Sequence, residues 1–266
     1  MNYTIVSCIT KYGINDIKPF VESINKSGYN GEKIMIVYET TNEVIEYLTN
    51  NQWTVLQSEL QEHIILQRFR DIYYLLHQHE TDIVICLDVK DVIFQTNPIE
   101  WIESNMKKDI LALSESIIIG DDDWAQLNSG TSFPLEWQWV QYKESYCAGT
   151  IIGKKDAIRD LFIDIYHWSK TGLNPTQLAD QAAYNILINL HQYKNVVQFV
   201  KQEEGLATQL GTVLIKKDFF GNRLLEPTPN ILNDYTITNQ KGEPFCIVHQ
   251  YDRNTILKEQ IIKKYS

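Results

Sequence analysis

The feature that most constrains this chain is the regular exchange, over residues 3–87, of short apolar runs with stretches of helical spacing. Residues 3–9 (YTIVSCI), 33–38 (KIMIVY) and 82–87 (DIVICL) have the length and β-branched content of buried strands. Between them, residues 14–26 place Ile14, Ile17, Phe20, Val21 and Ile24 at helical intervals. Residues 60–78 do the same with Leu60, Ile64, Ile65, Phe69, Ile72, Tyr73 and Leu76. Residues 42–50 (NEVIEYLTN) complete the set as a helix, with Thr41 or Asn42 as its N-cap. Strand, helix, strand, helix and strand in this order demand right-handed crossovers and a largely parallel sheet flanked by helices, the α/β class. In such open sheets ligands bind beyond the carboxyl ends of the strands. That directs attention to residues 7–12, 38–40 and 88–91.

The second half is less regular. Residues 98–105 read as a helix and 109–113 (DILAL) as a strand. Residues 114–146 read as one long irregular stretch, carrying Asp121, Asp122, Asp123, Trp124, Trp137, Trp139 and Tyr142. A loop of this length in a compact domain is functional or disordered, and the aromatic content argues against disorder. Strands follow at 147–152 (CAGTII), 196–200 and 245–249, with helices at 155–170, 177–191 and 254–264. A chain of 266 residues with this pattern fits one domain.

Composition narrows the partners. Asp and Glu number 34 against 24 Lys and Arg, a net charge of −10, so nucleic acid is not expected as a partner. The pair Lys263 and Lys264 is too small for a membrane-binding basic patch. An acidic protein that binds phosphate needs a metal ion or a few local cations. No apolar run approaches the roughly 18 residues of a spanning helix. The first residues, MNYTIVSCITKYG, read as a strand rather than a signal peptide. Cys8, Cys86, Cys147 and Cys246 each lie in or beside an apolar run, with no CxxC spacing. They are expected to be reduced and buried, in a cytoplasmic protein.

The sharpest motif is LDVKDVIFQTNP, residues 87–98, in which Asp88 and Asp91 lie three apart where a buried strand ends. If the chain turns at Val89 and Lys90, both carboxylates can converge, and converging carboxylates repel unless a proton or cation sits between them. Hard oxygen ligands suit Mg²⁺ or Mn²⁺, whose shell a diphosphate often completes. The plainer alternative is a turn in which the Asp side chains cap backbone groups. His249, in FCIVHQYDR, follows another short strand and can complete a mixed oxygen and nitrogen site of the kind Mn²⁺ accepts, or serve only in packing. Arg253 can meet phosphate oxygens or pair with Asp252 or Glu259. Arg68 lies on the helix before the Asp strand, where its guanidinium can grip a diphosphate or simply face solvent. Arg70, two residues on, points elsewhere. Ala148 and Gly149 would let a ligand approach the backbone closely. Asp180 and Gln181 open a helix, where they can cap it or bind sugar hydroxyls.

Together these motifs resemble the nucleotide-sugar-dependent glycosyltransferases of the GT-A (Rossmann-like) fold. LDVKDV looks like their Asp-x-Asp metal motif in the wider Asp-x-x-Asp form, similar to TDxxDV in the glycosyltransferase domain of the procollagen lysyl hydroxylases. The order of parts over residues 3–255 also resembles the glycogenin-like retaining transferases. The resemblance implies Asp88, Asp91 and His249 as ligands of Mn²⁺ (or Mg²⁺) bridging the diphosphate of a nucleotide sugar, most simply a UDP-sugar. It implies Thr10, Lys11, Tyr12 and Tyr38 or Glu39 against the nucleotide, and Arg68 on the donor phosphates or sugar. Gly149 would line the donor sugar pocket, with Asp180 and Gln181 beside the reacting carbon. Residues 1–97 would then be the nucleotide-binding half and 98–266 the donor-sugar and acceptor half. Two positions depart from the pattern. Cys147 and Ala148 replace the usual Asn-Ser or Asn-Ala pair, and the Lys-Pro-Trp after the late His is absent, with Arg253 at a different spacing. The expected activity is transfer to a hydroxyl acceptor such as a glycan, with retention of configuration; the aromatic stretch from Trp124 to Tyr142 can stack on an acceptor sugar face or simply pack across the sheet. An inverting route would need a base, for which Asp121, Asp122 and Asp123 are the obvious source. The alternatives are a catalytically silent glycan-binding or assembly module of the same fold and a sugar nucleotidyltransferase. The latter needs a Gly-rich phosphate loop, whereas SCITKYG has a single Gly.

Overall fold

A computed structural model describes residues 1–174, 179–214 and 223–265. The first half forms β1 (Tyr3–Thr10), α1 (Ile14–Lys26), β2 (Glu32–Tyr38), α2 (Asn42–Asn50), β3 (Thr54–Gln57), α3 (Ile64–Gln78), β4 (Ile83–Leu87) and β5 (Val92–Phe94). Then come α4 (Ile99–Asn105), β6 (Ile110–Ile118), α5 (Asp123–Ser132), α6 (Pro134–Val140), β7 (Glu144–Lys154), α7 (Lys155–Thr171) and α8 (Asp180–Leu190). The chain closes with β8 (Val197–Val200), β9 (Ala207–Gln209), α9 (Leu210–Val213), β10 (Asn230–Ile231), β11 (Ile237–Thr238), β12 (Ile247–His249) and α10 (Thr255–Lys264).

Seven strands make the central sheet in the order β3-β2-β1-β4-β7-β6-β8. Every neighbouring pair is parallel except those of β7, which runs antiparallel to both β4 and β6. One continuous sheet thus takes strands from both halves of the chain, giving a single Rossmann-like α/β domain. Alternation along the strands explains how both faces are buried. Ile5, Ile9, Met35, Val37, Ile83 and Ile85 face one cluster with Phe20, Val21 and Ile24 of α1. Val6, Ile34, Ile36, Tyr38, Val84 and Cys86 face the other, with Phe69 and Ile72 of α3 and Leu161 and Phe162 of α7. The chain leaves β1 towards β2 on one side and returns through α3 to β4 on the other, so a crevice opens between β1 and β4 at their carboxyl ends.

A three-stranded sheet, β5-β12-β9, sits beside this crevice. β12 falls within the strand expected at 245–249, whereas β5 and β9, three residues each, are too short to show as periodic patterns. The larger correction concerns residues 114–146. They are not a loop: β6 extends to Ile118, and α5 and α6 follow. Ser114, Glu115 and Ser116 mimic loop composition, but their buried side chains find partners: Ser145 of β7 donates to Glu115 at 2.6 Å, and Ser116 donates to Glu226 at 2.9 Å. No helix among the described residues is long and apolar enough to cross a membrane. The four cysteines are free thiols.

Candidate metal centre

After β4 the chain turns through residues 88–91 and resumes as β5, which pairs with β12 so that His249 stands opposite Val92. That register sets the imidazole beside Asp91. His249 Nε2 lies 3.3 Å from Asp91 Oδ1 and 3.7 Å from Asp88 Oδ2. One ligand atom from each of the three residues falls within 4.8 Å of the others. Atoms that hold a common ion at about 2.1 Å and near right angles stand about 3 Å apart, so the spacing suits a hard divalent cation. Oxygen, oxygen and imidazole nitrogen form a donor set accepted by Mn²⁺ or Mg²⁺, though better matched to Mn²⁺.

The far side of His249 is fixed. Gln209 pairs with His249 in the β12–β9 register, and its Oε1 lies 2.7 Å from His249 Nδ1. Gln209 Nε2 in turn donates to Thr150 Oγ1 at 2.9 Å, which orients the amide with its oxygen towards the ring. Nδ1 therefore donates to Gln209, and Nε2 is the nitrogen turned to the carboxylates. Both Gln209 and Thr150 are fully buried. Gly149 completes the cradle. A Cβ there would stand 2.5 Å from Asp88 Oδ2 and 2.7 Å from His249 Cε1, so only glycine leaves room for them.

Among themselves these groups balance their charge by ion pairing. Burial opposes ionisation of Asp91, yet His249 and Arg253 hold its carboxyl below the ordinary value. Burial likewise opposes charge on His249, but Asp91 raises the imidazole well above its ordinary value. Arg68 lies between two acids: it is ion-paired with Asp88 Oδ1 and, at 3.0 Å, with Asp180 Oδ2. Asp88 thus gives one oxygen to the guanidinium and the other to the His249 side. Burial pushes the Asp180 carboxyl up, against the pull of Arg68. Burial opposes charge on Arg68 as well, but Asp88 and Asp180 keep the guanidinium firmly protonated.

These groups share a cleft of about 450 Å³ that Tyr12, Arg68, Asp88, Asp91, Gly149, Asp180, Gln181, His249 and Arg253 all line. Gln181 Oε1 accepts from Ala148 N at 3.3 Å, and its Nε2 donates to Glu115 at 2.9 Å. Asp180 is the first residue of α8 rather than its N-cap, leaving its side chain to Arg68. Arg253 pairs with Asp252 and also reaches Asp91 at 3.6 Å. Arg70 turns away to Glu62 and Asp71.

Of the residues expected against the nucleotide, Tyr12 lines this cleft, whereas Thr10, Lys11, Tyr38 and Glu39 do not. Tyr38 shares a strand face with Ile34 and Ile36, so it is buried under α3, where its hydroxyl donates to Asp71 at 2.8 Å. Thr10 lies outside the lining, with its hydroxyl buried. Lys11 is exposed and pairs with Glu39 at 2.9 Å. The rim is nonetheless unusual: Lys11, Glu39 and Gln250 each follow a strand end directly and have φ of 54°, 46° and 60°. Left-handed backbone at non-glycine residues concentrates at functional sites. Sequence reading missed Gln209, Glu115 and Lys90. Lys90 lines the cleft with its ammonium 5.6 Å from the Tyr12 ring centre. Neither a family model nor a curated protein matches the chain.

Proposed function

We propose that this chain is a GT-A-type glycosyltransferase that moves a sugar from a nucleoside diphosphate sugar, most simply a UDP-sugar, to a hydroxyl acceptor. The observation that carries this reading is the convergence of Asp88, Asp91 and His249 at the carboxyl end of β4, beside a crevice of a Rossmann-like sheet. A divalent cation held there would supply Lewis-acid stabilisation of charge on the leaving diphosphate. The protein's own groups divide the remaining work. Lys90 and Arg253, at the cleft wall, are placed to meet phosphate oxygens. Gly149 gives the Asp88 and His249 side chains the room they need, and Gln181 lines the cleft with an amide that can pair with sugar hydroxyls. Arg68 neutralises Asp88 and Asp180 and holds both acids in place.

Retention is favoured by where the acidic run 121–123 lies. Asp122 Oδ1 caps α5, accepting from Trp124 N at 2.9 Å, and Asp121 stands 3.8 Å from Arg223. None of the three lines the cleft, so they do not supply the base that an inverting route needs. The test is a screen of nucleotide sugars with Mn²⁺, read as released nucleoside diphosphate. Turnover of one donor that Asp91→Asn abolishes supports the reading. Turnover unchanged in that variant removes the metal assignment. Absence of turnover with every donor, alongside glycan binding, would make the chain a silent binding module.

A further inference from the structure

Trp124, at one end of the cleft, has no role in the donor chemistry above. β4 and β6 both pair antiparallel with β7, so they run parallel to each other and their carboxyl ends open on the same edge of the sheet. Asp88 follows β4 on that edge, and Trp124 follows β6 six residues after its last residue, Ile118. Tyr12 follows β1, on the opposite side of β4 from β7 and β6. All of them line the one cleft. Across it the order is therefore Tyr12, the carboxylate and imidazole group, Gly149 with Gln181, and finally Trp124.

Trp124 is held from beneath without being covered. Asp122 Oδ1 accepts from the backbone N–H of Trp124 and, at 3.3 Å, from that of Ala125. Ala125 is buried in an apolar cluster with Phe133, Val140 and Ala182, against which Trp137 packs. The Trp124 indole stays outside that cluster and is 48% exposed. Ile64 and Ile65, one turn before Arg68 on the same face of α3, also line the cleft. The cations of the lining, Arg68, Lys90 and Arg253, come from α3 and from the segments after β4 and β12, not from α5. This end thus offers a flat aromatic face and an amide from Gln181, with no positive charge contributed by its own helix.

That chemistry matches a pyranose ring. Its C–H face stacks on an indole, and its hydroxyls pair with an amide. The cation beside Gln181, Arg68, is held between Asp88 and Asp180 and α5 adds none, so an anionic acceptor would find no uncommitted counter-charge here, and Tyr12 already offers a ring at the nucleotide end. We infer that Trp124 is the stacking floor of the acceptor subsite and that the acceptor is an uncharged saccharide. This rests on the glycosyltransferase reading above.

The test uses the full chain with Mg²⁺ and UDP, probed by saturation-transfer NMR. The probes are the methyl glycosides of glucose, galactose, mannose and N-acetylglucosamine, with methyl glucuronide as the charged comparison. Ring C–H signals of at least one neutral glycoside are expected in the wild type and in Trp124→Phe, which keeps an aromatic face. In Trp124→Ala they should fall about fivefold, the size of a lost stacking contact. Titration of UDP with Mg²⁺ should give the same affinity in all three proteins. Glycoside signals that survive Trp124→Ala, that are absent from the wild type, or that are as strong for the glucuronide would overturn the inference. So would a loss of UDP affinity in Trp124→Ala, which would assign the indole to the nucleobase. A wild type that fails to bind UDP with Mg²⁺ is a separate result: it removes the glycosyltransferase reading itself, and the acceptor subsite with it.

Discussion

Gln209 decides which nitrogen His249 presents. Its amide joins the Nδ1 side of the ring to Thr150 in a fully buried chain of hydrogen bonds. Gln209→Leu keeps the bulk but leaves Nδ1 with only the Cys147 sulfur at 3.4 Å and the Thr150 hydroxyl unpaired, at a cost of about 1–3 kcal/mol in stability. Partners of this kind tune metal affinity by roughly 10–100-fold, so the variant should bind Mn²⁺ that much more weakly. Calorimetric titration with Mn²⁺ and urea unfolding measure the two effects separately. Unchanged Mn²⁺ affinity in a folded Gln209→Leu protein would show that the ring needs no such support. At this scale Asp88, Asp91 and His249 were legible in the sequence because acids and an imidazole at strand ends carry chemical meaning by type. Gln209 was not, because a glutamine before a short helix reads as ordinary polar sequence until the β12–β9 register sets it against the ring. Tyr38 erred for the opposite reason. Its place at a strand end suggested a ligand contact, but the strand's alternation turns it under α3.

Elements differ in how openly they announce themselves. α1 and α2 fall on residues 14–26 and 42–50 as the spacing predicts, because each shows an apolar stripe to the sheet. α5 shows none: Asn128, Ser129 and Ser132 are its buried residues besides Ala125, so its inner face is polar. Its last turn, Ser129 to Ser132, also includes Gly130, and serine, threonine and glycine are weak helix formers. Small elements can still matter to the site. β5 carries the chain out of the Asp88–Asp91 turn, and only its β12 side is paired within the small sheet. On its other side the Phe94 N–H donates to Ser23 Oγ at 3.0 Å, while that hydroxyl donates to the Phe20 carbonyl at 2.9 Å. Ser23→Ala leaves a buried N–H unpaired and should cost about 1–3 kcal/mol. Urea unfolding of the metal-free protein checks this. A change much smaller than that range would mean α1 does not anchor β5 through this contact.

For the whole molecule, the direction of the sheet was legible from the order of elements, whereas the antiparallel setting of β7 was not, since CAGTII carries no mark of direction. The fold gathers more acid than base around His249, and pH should expose the balance. In the metal-free protein His249 lies above its ordinary value of 6.5 and Asp91 below its ordinary 3.8. The stabilisation read from His249 is complete below about pH 6.5 and fades as pH rises through the folded value; that read from Asp91 is complete above about pH 4 and fades as pH falls through its folded value. Metal binding must displace the imidazole proton, so Mn²⁺ affinity should rise from about pH 6 to about pH 8. Calorimetry across that range checks it, and a flat or falling affinity would exclude the imidazole as a ligand. Pulsed electron paramagnetic resonance of the protein with Mn²⁺ and UDP tests whether Asp88, Asp91 and His249 hold a divalent cation against a diphosphate. Nitrogen coupling from one imidazole is expected together with phosphorus coupling in the same spectrum, the nitrogen signal vanishing in His249→Ala. Phosphorus coupling without nitrogen in the wild type, or Mn²⁺ that remains fully hydrated, would contradict that arrangement.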